Sequence, residues 1–136
     1  MHFSLRRKVM FRDCDPAGRV FYPRYFEMIN DCVECFFAEA IGWPFEAVHP
    51  AAAVPTARIE AVFPAPSHHG DMLDFTLSCR RIGRSSLSLL LRAGCAGQTR
   101  LQARATLVHV DGGGRPAPWP APVRDALQPY LEEAEP

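Results

Sequence analysis

A chain of 136 residues, 48% of them apolar and 22% charged, has the commonest size and composition of one globular unit, which excludes a wholly disordered chain and a fibrous repeat. We expect one domain over residues 1–136. Fifteen basic and fifteen acidic side chains cancel to a formal charge of zero, so overall charge draws the chain neither to nucleic acid nor to an acidic membrane.

Phe3, Leu5, Val9 and Phe11 are apolar while Ser4, Arg6, Lys8 and Arg12 are polar, the two-residue period of a half-buried first strand. This alternation replaces the apolar block of a secretory leader, and no apolar run approaches the roughly 18 residues of a bilayer span, so we expect a cytoplasmic protein with no membrane partner. Asp13 to Arg19 carries Asp, Pro and Gly in turn-forming order and reads as a loop. Pro23 suits the first turn of a helix. Phe26, Ile29, Val33, Phe36, Phe37, Ala40 and Ile41 then recur at spacings of three and four until Gly42 and Pro44 supply a stop. A second row, Tyr25, Met28, Cys32 and Cys35, lets this helix bury more than one stripe. Cys32 and Cys35 have the spacing of a redox pair, but inside a helix they read as small core residues, and the odd total of five cysteines points to free thiols.

Four further strands follow. Ala57, Ile59, Ala61 and Phe63 alternate with polar neighbours, as do Leu73 to Cys79, Leu87 to Ala93 (less cleanly) and Leu101 to Leu107, with turn signals between them. After the proline-rich link Pro116 to Pro122, Val123, Leu127, Tyr130 and Leu131 make a short amphipathic C-terminal helix with an acidic end. Strand, long helix and four short-looped strands predict an α+β fold, with a five-stranded antiparallel sheet curling around one long central helix.

The chemistry concentrates at Asp15. Pro16 biases it toward extended backbone, and a helix start a few residues on offers unpaired N–H groups and a partial positive charge, a suitable place to stabilise an oxyanion. A carboxylate beside such donors can act as base or nucleophile in acyl transfer. The alternative is that Asp13 and Asp15 are turn formers whose carboxylates bond backbone N–H groups. Other clusters carry less. His68-His69 has no third ligand at zinc spacing, Gly112 to Gly114 lacks the lysine of a phosphate loop, and Ser85 and Ser88 have no evident triad partners in sequence. No metal is expected.

The string Asp13-Cys14-Asp15-Pro16-Ala17-Gly18-Arg19-Val20-Phe21-Tyr22-Pro23-Arg24-Tyr25 closely resembles the signature of the 4-hydroxybenzoyl-CoA thioesterase family of hotdog-fold acyl-CoA thioesterases. The close match covers this loop and helix start; beyond it, only the order and lengths of the elements agree. The resemblance implies that Asp15 is the carboxylate that attacks the thioester carbonyl or activates water. It makes Tyr22 the position whose backbone N–H polarises that carbonyl, and Gly18 the glycine that lets the loop approach the substrate. It implies a homodimer that joins its sheets and builds sites between subunits, often paired again into a homotetramer, with no cofactor beyond the coenzyme A of the substrate.

Between Asp74 and Asp111 the chain has no carboxylate but holds Arg80, Arg81, Arg84, Arg92, Arg100 and Arg104. Arg80, Arg92, Arg100 and Arg104 fall on the polar side of their strands, where they either meet coenzyme A phosphates or form a solvated outer face. Arg84, Ser85 and Ser86 open a strand after Gly83, where similar proteins hold an Arg or Ser near the ligand. The expected activity is hydrolysis of an aromatic, hydroxybenzoyl-like acyl-CoA, because Asp15-Pro16-Ala17-Gly18 resembles that branch. Phe21 and Phe26 serve equally as acyl contacts or as core. A short-chain aliphatic thioesterase and a non-catalytic acyl-CoA binding module are the alternatives; a dehydratase would call for a histidine that this loop lacks.

Overall fold

The computed structural model describes residues 1–132, so the acidic end expected at Glu133 and Glu135 lies outside the described residues. In chain order the elements are β1 (Phe3–Lys8), α1 (Tyr22–Cys35), which runs on as a wider π turn through Phe36–Ala40, α2 (Phe45–Val48), β2 (Ala52–Ala53), β3 (Thr56–Val62), β4 (Met72–Ile82), β5 (Ser86–Cys95), β6 (Gln98–Val108), β7 (Val110–Asp111) and α3 (Ala121–Leu127). Five strands form one antiparallel sheet in the order β1-β4-β5-β6-β3. β2 and β7 pair in a two-residue ladder too short for any periodicity to announce. Among the described residues, no helix is long and apolar enough to cross a membrane.

One face of the sheet carries Leu73, Phe75, Leu77 and Cys79 from β4, Leu87, Leu89, Leu91 and Ala93 from β5, and Leu101, Ala103, Ala105 and Leu107 from β6, all buried. Against it lies α1, burying Tyr25, Met28, Ile29, Cys32 and Val33, and then Phe36 and Phe37 in the π turn. Both predicted rows are therefore used, as an element packed on several sides requires. Each fully buried Phe36, Phe37, Phe75 or Met28 contributes about 1.5–3 kcal/mol of transfer free energy. The helix stops where Gly42 takes φ +70°, a left-handed conformation glycine adopts freely. Cys32 is wholly buried, and burial, with the charge of neighbouring groups, pushes its thiol up to about 12, so the Cys32/Cys35 spacing holds no reactive pair.

Two expectations change. β1 ends at Lys8, and Phe11 is 83% exposed instead of inward, because Phe11–Asp13 closes a tight 3-10 turn whose Met10 N–H donates to the Asp13 carboxylate (2.8 Å). The irregular alternation in β5 has its cause in Leu90, which faces away from the helix, between Ser78 and Arg104 on the flanking strands, yet is buried. At the sheet's other margin β3 pairs, among the described residues, only with β6; of its seven residues only Ala61 is half-buried and the rest are exposed.

Candidate active site

The segment 13–21 is a closed loop. Cys14 and Val20 form an isolated antiparallel bridge, the Asp15 N–H donates to Arg19 O (2.8 Å), the Gly18 N–H donates to Asp15 O (3.0 Å), and the Phe21 N–H donates to Asp13 O (2.9 Å). Gly18 turns the chain at φ +79° with nothing within 4 Å of the place a Cβ would occupy, so its requirement is conformational. The half-buried Asp15 makes the bonds of a turn former with one oxygen: Oδ1 accepts from Ala17 N–H (2.8 Å) and Arg19 N–H (3.3 Å). Its Oδ2 has no partner among the described residues, so the turn-forming and reactive readings are met by different atoms of one carboxylate.

At the helix start, Pro23 has no N–H and the Arg24 N–H already donates to Phe21 O (2.8 Å). The Tyr22 N–H, at the first helical position, has no acceptor among the described residues. It therefore remains available at the positive end of α1. The short ladder of residues 13–15 against 19–21 brings this donor and the Asp15 carboxylate to the same loop–helix junction. Cys14 is no rival nucleophile: burial first, then the charges of Asp13, Asp15 and Asp71, push its thiol up.

Asp13 anchors the loop from beneath. It is 1% exposed and accepts from Arg7 Nη1 (2.9 Å) and the Met10 N–H (2.8 Å). Burial pushes its carboxyl up, but those two hydrogen bonds, with the charges of Arg7 and Arg12, outweigh it and hold the group below its usual range. A carboxyl depressed in the folded state stabilises fully above the unfolded aspartate value near about 4 and loses that contribution as pH falls through the lower folded value. Thermal unfolding between about pH 5 and 2 should therefore fall less steeply in Asp13→Asn than in the parent chain, after allowing for the variant's lower neutral-pH stability. Parallel curves would show that Asp13 is not part of the acid response.

Around this junction stand the exposed aromatics Phe21 (51%), Tyr22 (61%) and Phe63 (38%). Phe63 stacks on Tyr25 (4.9 Å between centroids) and meets the half-buried Phe26 edge-on (6.3 Å), so Phe26 belongs partly to the core and Phe21 does not.

The predicted arginines separate. Arg80, Arg92 and Arg104 join Arg58 and Glu60 around a groove of about 480 Å³ on the outer sheet face. Arg100 does not join them and cannot meet a phosphate there. It is 8% exposed, and its Nη1 donates to Asp71 Oδ2 (2.7 Å), Pro66 O (3.1 Å) and Ser67 Oγ (3.4 Å). The cause is a register shift between Ala93 and Gly94 that breaks the alternation at the start of β6, where Arg100 sits. Ser67 and Asp71 carried no motif, and Tyr25 entered only as the end of the signature string and as a helix-row residue; what singles them out is that Ser67 and Asp71 converge on Arg100 while Tyr25 bonds Ser67.

Arg84, Ser85 and Ser86 lie at the β4–β5 turn, their carbonyls accepting from Trp119 N–H (3.0 Å), His109 N–H (2.7 Å) and Trp119 Nε1 (3.0 Å). The Asp15 loop is bonded to residues just before β4, at that strand's other end. Eleven residues of strand separate the two places, on the order of 30 Å, so one chain does not bring them together.

Solved structures superpose along nearly the whole chain. A 1,4-dihydroxy-2-naphthoyl-CoA thioesterase from Synechocystis is 22% identical with a TM-score of 0.85, covering 94% of this chain and 96% of its own. A gentisyl-coenzyme A thioesterase is 25% identical with a TM-score of 0.84, covering 92% and 99%. A thioesterase from Thermus thermophilus, complexed with coenzyme A and zinc, is 26% identical with a TM-score of 0.80, covering 93% and 92%. No curated protein matches the chain by sequence. Sheet, helix and superpositions agree on the hotdog fold of thioesterases. Residues 9–127, which include the whole Asp15 loop and all of α1, match the Thioesterase-like superfamily, and the chain belongs to that superfamily.

Proposed function

We propose that the protein is an acyl-CoA thioesterase of the 4-hydroxybenzoyl-CoA type, hydrolysing an aromatic acyl-CoA to the free acid and coenzyme A. The observation that carries this reading is the meeting, at one loop–helix junction, of an Asp15 Oδ2 and a Tyr22 N–H that are both without partners among the described residues. The Tyr22 N–H donates to the thioester carbonyl oxygen and stabilises the negative charge that develops there. Asp15 Oδ2 either attacks the carbonyl carbon or takes a proton from the attacking water. In both routes the C–S bond breaks, coenzyme A leaves as the thiol, and one water supplies the acid's hydroxyl and the thiol's proton. The reaction is redox-neutral and calls on no cofactor. The gentisyl-coenzyme A thioesterase and the coenzyme A complex from Thermus support the acyl-CoA class. The exposed rings of Phe21, Tyr22 and Phe63 support an aromatic acyl group. A substrate of this class supports the cytoplasmic location expected from the sequence.

The unpaired edge of β3 supports a homodimer. Antiparallel self-pairing centred on Ile59 sets Arg58 opposite Glu60 of the partner subunit and Ala57 opposite Ala61 of the partner subunit, a register with complementary charge and no bulky clash. β3 runs back toward the Asp15 end of the sheet, since it is antiparallel to β6, β6 to β5, and β5 to β4. A two-fold axis through β3 therefore turns the partner's β4–β5 turn to that same end. Such a dimer brings Arg84, Ser85 and Ser86 to the Asp15 end of the neighbouring sheet, and there they are the proposed coenzyme A contacts, a role their separation within one chain denies them. Outer-face contact between two dimers would make a tetramer.

The test is release of free thiol, followed with a chromogenic trap, from a panel of aromatic and straight-chain acyl-CoA thioesters. We expect saturable release, fastest with hydroxylated benzoyl groups. Faster turnover of short aliphatic chains would move the substrate to that class, and saturable binding without release would make the protein a binding module.

A further inference from the structure

Arg100 is buried at the third position of β6, and its Nη1 alone donates to three acceptors of one loop, Asp71 Oδ2, Pro66 O and Ser67 Oγ. The His68 N–H first, and then the Arg100 guanidinium, keep the Asp71 carboxyl below its usual range, so its acceptor is charged. That loop is in turn bonded to both halves of the proposed site. Ser67 O accepts from the Val20 N–H (2.9 Å), the His69 N–H donates to Gly18 O (3.2 Å), and Arg19 bridges to His68, which fixes the Asp15 loop. Ser67 Oγ accepts from the Tyr25 hydroxyl (2.8 Å), one turn into the helix that begins with Tyr22.

Arg100 Nε is buried without an acceptor among the described residues. An apolar side chain would fill this place without stranding a donor, and buried ion pairs are in general poor stabilisers compared with packed hydrophobic groups. What a fixed guanidinium supplies is a set geometry. We propose that Arg100 is a positioning residue that, through Asp71 and Ser67, sets the placement of the Asp15 carboxylate relative to the Tyr22 N–H. This rests on the proposed thioester hydrolysis, and it places Arg100 behind the reacting groups instead of on the substrate.

The test compares Arg100→Met, Arg100→Lys and Asp71→Asn with the parent chain, well below the unfolding temperature of each. Amide exchange at Arg19, Val20 and His69 should quicken about tenfold in Arg100→Met while Leu89 and Leu91 in β5 stay protected. On the best substrate kcat should fall about 100-fold with KM nearly unchanged, since displacement by about an ångström costs on this order without touching binding. Arg100→Lys, which keeps a charge and N–H donors for Asp71 but has a shorter side chain than the one whose Nη1 makes these bonds, should recover part of the loss. Should Arg100→Met fail to fold, Asp71→Asn removes the charge from the other end and carries both readings. Unchanged loop exchange overturns the proposal, as does a loosened loop with parental kcat. A parent chain that releases no thiol overturns the hydrolase reading and the positioning role together, and is told apart from the other failures because exchange in the variants is measured independently of turnover.

Discussion

Asp15→Asn should lower thioester turnover about 100- to 10,000-fold, the usual contribution of a positioned acid–base group, while leaving the fold intact. Asparagine keeps the Oδ1 that accepts from Ala17 N–H and Arg19 N–H, so the loop has no reason to open. It replaces Oδ2, which has no partner to lose among the described residues, by an amide that neither attacks a carbonyl nor takes a proton. The measurement is kcat by thiol release beside the unfolding temperature and ligand affinity of the same preparation. Unchanged affinity and stability with collapsed turnover is the expected pattern. Hydrolysis at the parental rate removes Asp15 from the chemistry, and loss of stability along with activity would return it to a turn-forming role.

Ile59→Asp tests the subunit-spanning site. Ile59 is 37% exposed on an edge strand, so the change costs the single chain about 1 kcal/mol or less. At the centre of a self-paired β3, however, each carboxylate faces its own copy, and like charges set directly opposite across an interface cost several kcal/mol, or about 100-fold or more in dissociation constant. At micromolar concentration the parent chain should sediment as a dimer or larger, and the variant as a folded monomer. Because Arg84, Ser85 and Ser86 would then be missing from the neighbouring site, the monomer should lose activity chiefly through a raised KM for acyl-CoA. A monomeric parent chain, or a variant that remains dimeric and fully active, refutes the β3 pairing.

The strands β4 to β6 and helix α1 were legible because each lays one face on a common core, and burial on one face writes a period of two or of three to four into the residues, whereas β3 shows its alternation with only Ala61 half-buried. The Asp15 loop was legible because Pro16 and Gly18 demand particular backbone angles wherever they stand, and Gly18 indeed sits at φ +79°. The same local logic misread Phe11, where a side-chain bond from Asp13 to the Met10 N–H closed a turn in place of another strand residue. It also treated Arg100 and Arg104 alike, since both stand at even positions of one strand.

Residue order by itself thus determined the order of the five main strands and the long helix, the curled antiparallel sheet around that helix, and the loop and helix start where chemistry is possible, because periodicity and turn geometry depend on near neighbours; the short α2, β2 and β7 it did not. Only the tertiary structure decided that Arg104 faces a groove while Arg100 is buried, and that Asp15 leaves one oxygen without a partner among the described residues. It alone revealed that Tyr25 and Ser67, 42 residues apart, share a hydrogen bond. Those outcomes follow from a bulge and from contacts between distant segments, and the energy of a buried hydrogen bond depends on which groups the whole chain brings together.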